Sequence, residues 1–257
     1  MLWCLSLVDR HFHCTACGKC CHGWLPLTLD DALAGAGRFP LAMVLTPVRQ
    51  SAKAYKITAA HGTVLQLAKN KRVAVQISPT SYLPPSLSCP ALSDDGQCTI
   101  HADKPQRCRT MPFSAYRQES DQGPLLQAKP GWLCDTSPAA PLVYRDKEII
   151  PRADFDLEAA KLKDQAAILR PYTDALIAAA PNVAAGLESA ARSAKGGTVV
   201  LNFTTVLPRL KDVDTARFAR QQVPVLESFA ARTKGKPELA DYHQYYLQNI
   251  KGLQRFK

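Results

Sequence analysis

Residues 12–23 read Phe12-His13-Cys14-Thr15-Ala16-Cys17-Gly18-Lys19-Cys20-Cys21-His22-Gly23, and these four cysteines decide what kind of fold the chain must build. Two-residue spacing lets a tight turn aim successive thiolates at one centre, and Gly18 supplies turn freedom that a Cβ would deny. Cys20 and Cys21 are adjacent. In an extended backbone their side chains leave on opposite faces, so they suit two neighbouring sites better than one ion.

A second group follows at Cys89-Pro90, Cys98, Cys108 and Cys134. Cys98 comes after the turn-forming Asp94-Asp95-Gly96-Gln97. Cys108 lies between Pro105 and Pro112, which restrict the backbone on either side. One CxxC alone is a weak signal; CxxCxxCC followed by four more cysteines is a strong one. Eight thiols make two tetrahedral sets of four, or one ion with structural cysteines to spare. The ninth, Cys4, stands outside the pattern and reads as a buried thiol.

At 257 residues and 46% hydrophobic content, the chain can bury a core without a disulfide or metal to hold it. The cysteines therefore call for a chemical explanation. The opening MLWCLSLVDRHFHC lacks the basic stretch and small-residue cleavage site of a signal peptide. No window approaches the ~20 apolar residues that span a bilayer. A reducing cytoplasmic location is expected, where clustered cysteines hold metal more often than they form disulfides.

The formal charge of +10 raises nucleic acid as a partner. Before Pro151 there are 16 Lys and Arg against 11 Asp and Glu, and from Pro151 onward again 16 against 11. The excess is spread evenly rather than gathered in a stripe, so nucleic acid is not an expected partner.

The predicted fold class is α+β. A metal-stapled, irregular cysteine domain with a small antiparallel sheet occupies residues 1–150, and a mainly helical region occupies 151–257, with the proline-rich 138–151 as boundary. Thr28, followed by Asp30 and Asp31, reads as the N-cap of a helix running to about Gly35–Gly37. YKIT (55–58), TVLQLA (63–68) and RVAVQI (72–77) alternate like strands, and Pro79, Pro84 and Pro85 end that pattern. Residues 154–182 read as one helix interrupted at Pro171 or two meeting there. Residues 183–194 form a helix closed by a left-handed glycine cap at Gly196–Gly197. TVVLNFTTVL (198–207) is a β run, and 214–233 and 237–256 are amphipathic helices, with Pro224 inside the first.

FHCTACGKCCHG (12–23), CPALSDDGQCTIHADKPQRCRTMPF (89–113) and GWLC (131–134) together resemble the CxxCxxCC cysteine-cluster family. These are zinc- or iron-chelating proteins, often called YkgJ-like, to which flagellin lysine N-methylases are related. The resemblance covers residues 12 to 135. It implies that Cys14, Cys17, Cys20, Cys21, Cys89, Cys98, Cys108 and Cys134 are the family cysteines and the metal ligands. Pro105 and Arg107-Cys108-Arg109 match the family's Arg-Pro-x-x-Cys-Arg signature, with Lys104 in place of its first arginine. His101 stands where a tyrosine is common.

Four thiolates suit zinc or an iron–sulfur cluster alike. Structural zinc draws on two CxxC-like pairs, whereas here the second group is singletons, which favours iron–sulfur. Lys19, Lys104, Arg107 and Arg109 can offset a cluster's negative charge or form a solvated basic face. With eight thiols available, His11, His13, His22 and His101 are read as neighbours of the site or surface residues, not ligands.

No P-loop, dinucleotide fingerprint or Gly-x-Ser-x-Gly elbow occurs. Three functions remain: a noncatalytic iron–sulfur protein with a redox, sensing or structural role; a zinc-stabilised interaction module whose helical half binds a protein partner; and, suggested by the resemblance, a protein lysine N-methylase with no catalytic residue identified.

Overall fold

The computed structural model describes residues 9–68 and 71–256; Cys4 lies outside the described residues. In chain order the strands and helices begin with β1 (Arg10–His11), β2 (Leu25–Pro26), α1 (Leu29–Ala34), β3 (Leu41–Arg49), α2 (Tyr55–His61), β4 (Thr63–Ala68) and β5 (Lys71–Ser81). There follow α3 (Gln106–Thr110), β6 (Leu142–Arg145), β7 (Glu148–Ile149), α4 (Ala153–Ala179) and α5 (Pro181–Arg192). The last are β8 (Val199–Asn202), α6 (Thr215–Thr233) and α7 (Ala240–Leu253). The architecture is α+β, with antiparallel sheets mostly in the first half and helices mostly in the second.

β3 and β5 pair antiparallel over their whole contact, from Leu41 opposite Ser81 to Arg49 opposite Val73. On the far side of β3, β8 pairs with residues 42–45. β5 shares its other edge between two short partners, β4 over 71–75 and β2 at 80–81. Both strands contain a proline where one neighbour is missing. Pro47 lies beyond the stretch that β8 covers, and Pro79 lies between the segments claimed by β4 and β2. A residue without an N–H is tolerated there because the ladder asks nothing of that edge. The expectation that Pro79 ends the strand is thereby corrected: β5 runs through it to Ser81.

YKIT is also corrected, from strand to helix α2. Its β-formers yield to the surroundings, because packing context outweighs strand propensity. Arg170 of α4 donates to the carbonyls of Ala60 (2.8 Å) and Gly62 (2.7 Å), satisfying the end of that helix. Thr28 caps α1 as expected, its hydroxyl accepting the Asp31 N–H at 3.1 Å. Helix α4 continues through Pro171 without dividing. Helix α5 ends at Ser193 in extended backbone rather than at a left-handed glycine; Gly196 has φ +74° but comes three residues later.

The main core lies between β3, β5 and the helices α4 to α7, with Leu41, Met43, Leu45, Ile77, Leu169, Leu187, Phe203, Leu226 and Tyr246 essentially inaccessible. Buried polar side chains tie loops to it. The Gln222 amide accepts from Leu41 N–H (2.7 Å) and donates to the Phe39 carbonyl (2.9 Å). Tyr245 donates to the Leu41 carbonyl at 2.8 Å and Tyr246 to that of Tyr82 at 2.9 Å. A second, smaller cluster of Phe12, Phe113, Leu126, Val143, Tyr144, Ile149, Phe155 and Leu162 supports the sheet β1-β6-β7, whose β6 and β7 lie within the proline-rich 138–151.

Candidate metal centre

The cysteine segments carry almost no regular structure and are aligned by three short antiparallel pairings. His13 and Asp135 exchange both backbone hydrogen bonds (2.8 and 3.0 Å), and Thr15 donates to the Leu133 carbonyl (3.0 Å). His22 bridges to Ser88 through Cys89 N–H to Cys21 carbonyl (2.8 Å) and Gly23 N–H to Leu87 carbonyl (3.3 Å). Leu92 bridges to Cys98 through Thr99 to Ala91 (2.8 Å) and Ser93 to Gln97 (2.9 Å).

Between Cys14 and Cys21 the chain coils. Ala16 has φ +56° and Gly18 φ +68°, and Cys21 N–H closes a turn onto the Gly18 carbonyl at 3.0 Å. A Cβ on Gly18 would stand 2.8 Å from the Gly96 carbonyl oxygen and 2.9 Å from Leu92, so the two cysteine segments can approach only because this residue is glycine. The expectation that Cys20 and Cys21 leave an extended backbone on opposite faces is corrected by this turn. Their thiols touch, and Cys21 donates a hydrogen bond to the Cys20 sulfur.

That contact governs the pair's protons. The hydrogen bond from Cys21 pulls the Cys20 thiol down to about 6, while Cys21, as donor beside a thiolate, is pushed upward. Cys17 is lowered by the N–H groups of Lys19 and Leu133, which point at its sulfur. Burial pushes Cys108 up to about 12 and raises Cys89 and Cys134. A bound cation would lower all of these thiols, overriding the upward push on Cys21, Cys89, Cys108 and Cys134, because a coordinating thiol loses its proton.

All eight cysteines singled out from the sequence are described, and each is a free thiol. They gather at the junction of the three pairings. Cys134 senses the charges of Cys17, Cys14 and Cys20, and Cys108 those of Cys89, Cys20 and Cys98. Among the described residues no three His, Cys, Asp or Glu side chains already stand close enough to enclose one ion. An arriving metal must therefore draw its ligands together. The donor set itself fits a thiophilic metal: eight sulfurs from one turn, one hairpin, one helix and one returning strand, with carboxylates turned to other tasks.

The histidines take subordinate places. His11 Nδ1 lies 2.7 Å from the Ala140 carbonyl, His13 and His22 serve through their backbone, and His101 is exposed.

Arg107 corrects the sequence reading of a basic face. It is buried and forked onto Glu158 at 2.9 and 3.0 Å, also donating to the Phe113 carbonyl, while Glu158 accepts the Ala115 N–H at 2.9 Å. This ion pair clamps the helix bearing Cys108 to α4. The same helix is held at its start by Asp31, whose carboxylate accepts the Gln106 N–H at 3.0 Å, and by Gln106 donating to the Asp154 carbonyl at 2.9 Å. Sequence reading missed Glu158 as a support because its partner lies 51 residues away; a buried acidic residue on the apolar face of a long helix is the only signal that could have marked it. Of the four basic residues, Lys104 is the one whose charge helps to lower Cys20.

No helix among the described residues is long and apolar enough to cross a membrane. Residues 13–129 match the family model CxxCxxCC, described as a putative zinc- or iron-chelating domain. The expected cofactors, zinc or an iron–sulfur cluster, fall within that description. No curated protein and no solved structure matches the chain.

Proposed function

Taking as premise that residues 13–129 are a domain of the CxxCxxCC family, we propose that this chain is a cysteine-ligated metal protein that binds an iron–sulfur centre and uses it in a redox, sensing or structural role. The observation that carries the reading is that eight free thiols lie on segments joined by three backbone bridges, His13 with Asp135, His22 with Ser88 and Leu92 with Cys98, and on the short helix of Cys108. Cys14, Cys17, Cys20, Cys21, Cys89, Cys98, Cys108 and Cys134 would hold the metal. A thiolate-held cluster would supply one-electron chemistry or rigid cross-linking. The chain's own residues do the rest: Gly18 and the turn at Cys21 present the sulfurs, N–H groups of Lys19 and Leu133 stabilise the Cys17 thiolate, and the Arg107–Glu158 clamp fixes Cys108.

Zinc is the second reading, since zinc asks only for four sulfurs in a tetrahedron. In that case the chain is a zinc-stabilised module, with its helical half available to a protein partner. The deciding experiment is an absorption spectrum of anaerobically purified protein with iron, zinc and acid-labile sulfide measured in the same sample. Brown protein with matching iron and sulfide supports the cluster. Colourless protein carrying zinc sinks the cluster and promotes the module, and protein free of both metals defeats the whole reading.

A further inference from the structure

We propose, resting on the metal-binding reading above, that the adjacent cysteines divide between two four-thiolate centres, with Cys14, Cys17, Cys20 and Cys134 in one and Cys21, Cys89, Cys98 and Cys108 in the other. His13 and Asp135 form a hydrogen-bonded antiparallel pair, so the next pair inward is Cys14 opposite Cys134. In a pair of that kind the side chains share a face, with Cβ atoms ~5 Å apart. Cys17 joins them because its sulfur receives the Leu133 N–H, the amide immediately before Cys134.

The second set is built the same way. The bridge between His22 and Ser88 places Cys21 opposite Cys89, joined by the 2.8 Å bond from Cys89 N–H to the Cys21 carbonyl. Leu92 N–H then turns back onto the Cys89 carbonyl at 2.9 Å, and the bridge from Leu92 to Cys98 brings Cys98 round to the same hairpin. Cys108 enters from its clamped helix, near enough to Cys89 and Cys98, and to Cys20 at the edge of the other set, to feel their charges.

Cys20 remains, and the first set lacks one ligand. Ala16 and Gly18, both at positive φ, coil the chain between the spaced cysteines, so Cys14, Cys17 and Cys20 can turn toward one centre while Cys21 is committed by its backbone to Cys89. The contact between Cys20 and Cys21 then becomes the seam between the centres. Two centres also explain why the chain spends two cysteines side by side, where a single four-coordinate ion has no use for both.

The test uses the full chain, stripped of metal and reloaded with zinc as probe. Native mass spectrometry of the wild type is expected to show two zinc ions per chain; saturation at one overturns the division, whereas no binding of zinc or iron overturns the metal reading itself. The Cys14→Ser/Cys134→Ser variant is expected to keep half the zinc and to protect Cys21, Cys89, Cys98 and Cys108 from alkylation while exposing Cys17 and Cys20. The Cys89→Ser/Cys98→Ser variant should do the converse. If Cys20 is protected together with Cys21 in either variant, or if either loses all zinc while its far-UV circular dichroism stays wild-type, the assignment fails. Should a variant lose its circular dichroism, the wild-type ion count alone decides.

Discussion

The sheet region and the cysteine region are built on opposite principles. Around β3 and β5, consecutive apolar residues are buried on both faces and four helices cover them. That region gains its stability from hydrocarbon removed from water. Between Pro85 and Lys104, by contrast, only Ala91 is fully buried, and order rests on turns, two backbone bridges and a glycine contact. A chain that can bury so large a core elsewhere has not been forced into metal dependence by its size. If the proposed metal is bound, it is the cysteine region in particular that depends on it, and the two regions should come apart under the right stress.

The hardest way to break that contrast is at the clamp between them. Glu158→Ala leaves Arg107 buried without its partner, which costs about 3–5 kcal/mol, read by urea unfolding. The metal content of that variant should fall with its stability, because Cys108 shares a helix with Arg107. Leu45→Ala, inside the sheet, should cost about 2–5 kcal/mol and yet leave metal content at the wild-type value in protein that remains folded. If metal is lost in equal measure, the regions are one cooperative unit and the contrast fails.

Chelation sharpens the comparison from the other side. Stripping metal is expected to speed amide hydrogen exchange in residues 13–24, 86–104 and 130–136 while residues 41–49 and 73–81 keep their protection. Uniform loss of protection would show that metal holds the whole chain. Thr28→Ala should cost about 1 kcal/mol through its lost cap. It also loosens Asp31, which the Thr28 hydroxyl steadies at 2.8 Å beneath the helix of Cys108.

The smallest effect is on pH. In metal-free protein the Cys20 thiol sits at about 6 against an ordinary 9.0. A depressed thiol stabilises the fold fully above pH 9.0, and that contribution is lost as pH falls through about 6. Alkylation of Cys20 should therefore switch on near pH 6, while Cys108, pushed up to about 12 by burial, stays unreactive well above neutrality. A Cys20 that reacts only above pH 8 would contradict the hydrogen bond from Cys21.

The α+β class could be read directly, because helical periodicity is a local signal. So could the Thr28 cap. Other features depend on partners distant in sequence. β3 looked like no element in particular until β5 and β8 flanked it, since an apolar run buried on both faces has no period to betray it. YKIT has strand composition but Arg170 completes it as a helix. Arg107 looked like surface charge because its carboxylate lies on another helix, and the close approach of Gly18 to the Gly96 carbonyl joins segments far apart in sequence.

The proposed sharing of one ion by Cys14 and Cys134 would have a mechanical consequence. Once both hold the same ion, residues 15–133 form a closed ring that contains strands β2 to β5, and tension applied at the two ends of the chain runs across the ion and bypasses the ring. An optical trap should then find roughly 400 Å of contour hidden until the ion is pulled out, released in a single step whose force changes with the metal bound.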